Sequence, residues 1–585
     1  MTPILDPRDG DIEDDAASTK RRSLLSLLGS LLAEVSLPKL AIAWMLLIGL
    51  PALLLGAAPL LVSIWIASVL SKVANIFTEA LPALFLLPLA GVGWFAGRPL
   101  LRLAEDSFWA LNALAVQPVY IVFREGLRHL AERPLAPRMS EDRRASVRAG
   151  TAAVSGLAMC ALGVGIVVLV WPASRWVGGL ADLASPLRFV PGLLANCVVL
   201  ISGYFAAAAL IWGIADATMP QPRGLRAYAT RPVDGRIWRV AHLSDIHTVG
   251  ERFGFRIESG RSGPRGNDRL QQTLARLDAI HAERPLDVIM ITGDLTDAGR
   301  SAEWAEFFAA LAAYPRLAGL VVALPGNHDV NVVDRANPAR MELPTSPSKR
   351  LRQIRTISAL GMLQGTRLHV VDSKGGRLGG SLADALQPYA ADKAAFADNG
   401  SARLSRSLAR LWTTIFPMVL PPDPEDGLGI IVLNSNAETH FSFTNALGLV
   451  SAEQASAFRI AIAQYPHACW IVALHHHVIE YPQPAKELSE RIGTALINGS
   501  WFIRRLRQLA GHVVIMHGHR HIDWVGECGG LQIVSAPSPV MGTADCPGAY
   551  FYVHTFALGA DEQLRLLQPE RIPVYGGLAA DEAWR

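Results

Sequence analysis

Cysteine is scarce in this chain and follows no pattern. Cys160, Cys197, Cys469, Cys528 and Cys546 are odd in number and far apart, so they outline neither a disulfide framework nor a C-x-x-C metal site. An excess of one charge is also missing: 54 basic residues face 51 acidic ones, and no domain-wide basic stretch occurs. That balance removes the electrostatic case for a nucleic-acid partner. Charge of either sign is thin, at 18% of residues against 51% apolar, and the mean hydropathy is positive. A composition this apolar points to segments embedded in a bilayer. No small-residue cleavage site follows a short apolar core near the start, so a cleaved signal peptide is not expected. At 585 residues the chain is too long for one ordinary domain.

The apolar excess is concentrated before Met219. Leu40 to Leu70 carries no charge and exceeds the roughly 20 residues that cross a bilayer. Ala80 to Ala96, Gly150 to Trp171 and Phe189 to Ile214 are the other expected spans, making about four. The reading is a cytoplasmic segment 1–37 with an amphipathic stretch Leu24 to Val35, a transmembrane region 38–219 and a linker 220–235. The loop 97–149 carries Arg98, Arg102, Arg124, Arg128, Arg133, Arg138, Arg143, Arg144 and Arg148. The opposite connections hold only Lys72, Arg175 and Arg188, so the basic bias predicts an inner-membrane, multi-pass protein with the loop and the C-terminal domain cytoplasmic. Lys20, Arg21 and Arg22 agree. Ser107 to Phe123 reads as an interfacial helix within this loop.

From about residue 236 to 570 strand-like runs alternate with helical patterns, leaving a tail 571–585. Several strands end in polar clusters. Ile237 to Leu243 runs into SDIH, Val288 to Ile291 into TGDLTD, Leu320 to Leu324 into PGNHD, Trp470 to Leu474 into HHH, and Val513 onward into HGHRH. In layered α/β folds loops beyond strand ends converge on one edge of the sheet. Carboxylates, imidazoles and an amide gathered there suit a pair of divalent cations that clamp a phosphoryl group and acidify a water.

Taken in order, SDIH, TGDL, GNHD, LHHHV and HGHRH resemble the calcineurin-like metallophosphoesterases. The resemblance covers roughly residues 236 to 560 and not the α-helical membrane region before them; it implies a four-layer α/β/β/α sandwich and a metal-dependent phosphoesterase activity. It implies that Asp245, His247 and His521 hold one metal, that Asn327, His476 and His519 hold the other, and that Asp294 bridges them. The metals are two divalent ions, with manganese, iron and zinc all suited to the set. His328 would steady the phosphoryl charge or protonate the leaving oxygen, with Asp329 orienting its ring. The run LHHHV ends in Val478 where the family has proline, and counting back two positions selects His476 over His475 and His477.

Blander readings hold elsewhere. His242 is expected to pack in a strand, Asp297 to cap a turn, and His517 to lie outside the ligand set; Arg520 is either outward-facing or a phosphate contact. An insertion 330–428 contains Lys349, Arg350, Arg352 and Arg355, read as a solvated helix face or as a cap that meets anionic headgroups or substrate phosphates. VLNSN, LVSAEQ and ALHHHV look most like the cyclic-nucleotide phosphodiesterase branch. The expected substrate is therefore a small phosphodiester, a 3′,5′-cyclic nucleotide among the candidates. The alternatives are a lipid-linked or nucleotide-lipid pyrophosphate, and a membrane receptor or scaffold whose domain only binds ligand. Membrane lipids are expected partners; the oligomeric state has no signature.

Overall fold

The computed structural model describes residues 41, 45, 49–76, 117–132, 140–178, 189–230, 235–259, 263–334, 340, 342, 346–398, 401–439, 442–482, 496–541, 548–559 and 561–574. The expected second span Ala80–Ala96, the stretch Leu24–Val35, the basic residues Lys20 to Arg22, Arg98, Arg102, Arg133, Arg138 and Arg188, the start of Ser107–Phe123, Cys546 and residues 575–585 lie outside the described residues. Contacts divide the chain into two compact units, Ser36–Met219 and one that includes Pro220–Arg585.

The first unit contains helices α1 (Leu50–Ile76), α2 (Gln117–Glu132), α3 (Glu141–Val170) and α4 (Val190–Ala217). Among the described residues three stretches are long and apolar enough to cross a membrane: Ala52–Ser71, Asp142–Ala173 and Val190–Ala217. Small residues let α3 and α4 approach closely, as is usual where no hydrophobic drive exists between helices in lipid. A Cβ added at Gly156 would lie 2.8 Å from the Gly213 Cα, and one at Gly163 equally close to Ala206 Cβ, so the two helices run antiparallel. Buried Asn196 in α4 is fully used: its Oδ1 accepts from the Arg175 N–H at 2.7 Å, and its Nδ2 donates to the Arg175 and Gly56 carbonyls at 2.6 and 3.2 Å. An orphaned amide there would cost several kcal/mol, about the penalty for an unpaired polar group in hydrocarbon.

The second unit runs β1 (Arg223–Gly224), β2 (Ile237–Leu243), α5 (Asp268–Glu283), β3 (Val288–Ile291), α6 (Ser301–Ala312), β4 (Val321–Ala323), α7 (Pro347–Gln364), β5 (His369–Asp372), β6 (Arg377–Ser381), α8 (Ala402–Thr414) and β7 (Met418–Leu420). It continues with β8 (Leu428–Val432), α9 (Ala452–Gln464), β9 (Cys469–Ala473), β10 (Val513–His517), β11 (Trp524–Cys528), β12 (Leu531–Ser535), β13 (Tyr550–Leu558), β14 (Leu564–Leu566) and β15 (Glu570–Pro573). One sheet has the order β1-β11-β12-β10-β9-β8-β7-β5-β6; the other has β14-β13-β2-β3-β4, with β15 also on β13. Both contribute to one apolar core, Val240, Ile289 and Val553 from one and Ile430, Ile471 and Val514 from the other, with Leu274 of α5, Trp304 of α6 and Leu360 of α7 joining from the helices. The expected α/β sandwich of two sheets and flanking helices is therefore present. Strands β2, β3 and β4 are mutually parallel, as are β8, β9, β10 and β12, so within each group the C-terminal ends share one edge.

Two features differ from the sequence reading. The helix in the basic loop covers Gln117–Glu132, reaching well into the charged part of that loop. The insertion 330–428 is largely regular structure: β5, β6 and β7 extend the nine-stranded sheet, and α7 packs on the core. Its four cations are buried. Lys349 donates to the Thr439 carbonyl at 2.9 Å and Arg355 to the Gly299 carbonyl at 3.1 Å, while Arg350 binds Gln353 and Arg352 pairs with Glu342. Neither a solvated face nor a headgroup-binding cap describes these residues, because their charges are spent inside the domain.

Candidate metal centre

Five strand ends deliver the site. After β2 come Asp245 and His247, after β3 Asp294, after β4 Asn327, after β9 His475, and after β10 His519 and His521. Five of these residues hold left-handed backbone: Asp245 (φ 55°), His247 (47°), Asp294 (50°), His519 (76°) and His521 (53°). Only one other non-glycine residue among those described does so, Glu562. Side chains rarely tolerate that region, and such strain collects where a site demands it. Motif glycines serve the same convergence. A Cβ at Gly326 would sit 2.0 Å from Asp294 Oδ1, and one at Gly518 2.7 Å from Asp245 Oδ2.

The side chains form two groups that share one carboxylate. In the first, Asp245 Oδ1 lies 3.3 Å from His521 Nε2, which is 3.4 Å from His247 Nε2; the latter is 3.7 Å from Asp294 Oδ2. In the second, the same Asp294 Oδ2 is 3.3 Å from His475 Nε2, itself 3.1 Å from Asn327 Oδ1 and 3.0 Å from His519 Nδ1. Sequence reasoning selected His476 for this position. The fold places His475 there instead, while His476 turns its Nδ1 to the Ser435 hydroxyl at 2.9 Å. Asp245, His247, Asp294, Asn327, His519 and His521 lie together in these two groups.

Groups behind this shell aim it. His475 Nδ1 donates to the Thr292 carbonyl at 2.8 Å, which leaves Nε2 facing the cluster. His247 Nδ1 lies 3.4 Å from the Asp297 carboxylate, the His519 N–H donates to Asp245 Oδ2 at 2.9 Å, and the His328 N–H donates to Asp294 Oδ1 at 2.8 Å. Asp297, read from the sequence as a turn cap, thus also faces a ring of the site, and its backbone carbonyl accepts from His328 Nδ1 at 2.7 Å. Asp329 does not orient that ring. It accepts from the Gly326 and Thr296 N–H groups at 2.8 and 2.9 Å and from the Thr296 hydroxyl at 2.6 Å, bracing the GDLT turn to the GNHD turn. The His328 ring stands perpendicular to His247, centroids 4.5 Å apart.

The donor set fits divalent cations. Oxygens of Asn327 and Asp294 and nitrogens of His475 and His519 converge on one another, a donor set of oxygen and nitrogen without thiolate. The electrostatics agree. Burial opposes charge on His475, yet Asp294 and Asp245 overcome it and raise the imidazole to about 9. Burial likewise pushes Asp294 up, but the surrounding His475 and His328 rings hold it below the usual carboxylate range. The cluster demands positive charge at its centre, which bound cations supply more strongly than protons do. His517 stays outside, buried and stacked on Tyr481 with its pKa lowered by burial to about 3, and buried His242 meets Thr292 Oγ1 at 3.1 Å. Arg520 pairs with Glu480 at 3.0 Å.

Residues 239–382 match the family model of the calcineurin-like phosphoesterases. The chain carries a calcineurin-like phosphoesterase domain. It is a metal-dependent phosphoesterase, and its phosphoesterase domain presents the paired donor groups that two divalent metals require. The matched segment contains Asp245, His247, Asp294, Asn327, His328 and Asp329; the fold brings His475, His519 and His521 to them from beyond it. Among solved structures the chain is similar to a dimetal phosphatase from Danio rerio at 13% identity, covering 58% of this chain and 99% of that one, with a TM-score of 0.33. It is similar to a putative 5′-nucleotidase from Staphylococcus aureus at 13% identity, 58% and 55% coverage and a TM-score of 0.28. A NAD nucleotidase from Haemophilus influenzae follows at 10% identity, 58% and 57% coverage and a TM-score of 0.28. The chain spans about half the length of each nucleotidase. A search of curated proteins finds no match.

Proposed function

We propose that the chain is a membrane-anchored phosphodiester hydrolase with a cytoplasmic catalytic domain. The observation that carries the reading is the shared Asp294 Oδ2, within 3.7 Å of His247 Nε2 in one donor group and 3.3 Å of His475 Nε2 in the other. Asp245, His247, His521 and Asp294 would hold one cation, and Asp294, Asn327, His475 and His519 the second. When bound, such a pair supplies Lewis acidity toward a phosphoryl oxygen and a water of lowered pKa. His328 commits Nδ1 to the Asp297 carbonyl and thereby keeps Nε2 for the phosphoryl or leaving oxygen, as general acid. Asp329 holds the two turns in register, and the buried carboxylates and imidazoles fix the site before substrate arrives.

Three helices among the described residues, long and apolar enough to cross a membrane, support anchoring, and the arginines of the 97–149 loop support the cytoplasmic side. A small phosphodiester, including a 3′,5′-cyclic nucleotide, is the favoured substrate over a lipid-linked pyrophosphate, because the buried cations of α7 are no longer available to a headgroup. The test uses the purified full chain loaded with manganese and compares cyclic nucleotides, a simple aryl diester, an aryl monoester and a nucleotide-linked lipid. Turnover of diesters above the monoester is expected. A folded, metal-loaded protein inactive on all of them would instead favour a domain that only binds ligand.

A further inference from the structure

Helix α2 is built inside out. A helix at a protein surface ordinarily turns its apolar stripe to the core and its charges to water. In α2 the charges are inside: Glu125 is 1% exposed, and Arg128 and Glu132 are also buried. The opposite face carries Val119, Val122, Phe123 and Leu130 at helical spacing, all exposed, Leu130 to 68%. Gly126 lies on the same face and has open space beside it.

A charge-balanced network explains the inversion. Arg124 pairs with Asp216 in the last turn of α4 and with Glu125 at 2.8 Å; Arg128 pairs with Glu125 at 2.7 Å; Arg148 of α3 pairs with Glu132 at 2.7 Å. Tyr120 donates to Asp216 at 3.2 Å. Three guanidinium groups thus meet three carboxylates, and α2 is tied to α3 and α4 through polar contacts, with its apolar side left outward. Desolvating such pairs costs several kcal/mol per ion, so the arrangement does not come from charge attraction alone. It is the order found for ionisable groups in lipid, which turn to the helix bundle and pair there.

The outward face continues an apolar surface that already surrounds it. On α3 Leu157, Leu162 and Leu169 are exposed, the last to 80%, and on α4 Ile211 and Ile214 are exposed. Since Gly156 meets Gly213, the start of α3 and the end of α4 lie at one end of the pair, where α2 binds both. We propose that α2 is a lipid-facing helix, its Val119, Val122, Phe123 and Leu130 face in contact with acyl chains and its ion pairs turned to α3 and α4. This rests on the membrane reading of α3 and α4.

The test places photoreactive benzoylphenylalanine at Phe123, at Leu130 and, as a control on α3, at Leu169, in the full chain reconstituted in phosphatidylcholine vesicles. All three sites are exposed, so folding is not at stake. After irradiation, lipid adducts by mass spectrometry are expected at all three. Loss of the lipid adduct at Phe123 and Leu130 with Leu169 still labelled overturns the proposal, whether those sites react with water-exposed quenchers or cross-link to a second copy of the chain. Loss at Leu169 as well overturns the membrane reading itself.

Discussion

Asp245, His247, Asp294, His519 and His521 each hold a backbone conformation that costs on the order of 1–3 kcal/mol outside glycine. Five such costs in one cluster persist only because the surrounding turns over-determine them, and what they achieve is two groups, Asp245, His247 and His521 in one and Asp294 and His519 with His475 in the other, each with donor atoms within 4.8 Å of one another. The motif residues were legible because each follows an apolar run and each is of a ligating type. The choice within His475, His476 and His477 was not, since three identical side chains at a strand end differ only in direction. Direction was set by partners far along the chain, the Thr292 carbonyl for His475 and the Ser435 hydroxyl for His476. The difference is measurable by metal analysis and steady-state kinetics. His475→Ala is expected to lose one of two metals and more than about 100-fold in turnover, because even residues behind a ligand cost about 10–100-fold. His476→Ala is expected to keep both metals; the reverse result would restore the choice made from the sequence.

At the level of elements, the strands that carry the site are short apolar runs and were readable, whereas α7 was not. SPSKRLRQIR has the charge pattern of a solvated helix, and nothing local reveals that Glu342, Gly299 and Thr439 wait to receive its cations. Burial of α7 thus follows from long-range partners rather than periodicity. Arg352→Met should leave the Glu342 carboxylate buried without its partner and destabilise the domain by about 3–5 kcal/mol, the usual cost of breaking a buried pair. Denaturant unfolding of the full chain checks this. Activity per folded molecule should fall equally little on soluble and lipid-linked substrates; a selective loss on lipid would return α7 to the membrane surface.

For the whole molecule, composition separated an apolar first unit from an α/β second unit, and the contacts divide the chain between Met219 and Pro220. The basic loop was harder to weigh, because Arg124, Arg128 and Arg148 are spent in ion pairs and the orientation argument leans on the remaining arginines. The catalytic reading depends on neither: it depends on a shared carboxylate between two donor groups. Anomalous diffraction at the manganese edge from crystals of the manganese-loaded full chain tests it most directly. Two peaks about 3.5–4 Å apart on either side of Asp294 are expected, one beside Asp245, His247 and His521 and one beside Asn327, His475 and His519. A single peak, or a second peak away from Asp294, would contradict the account.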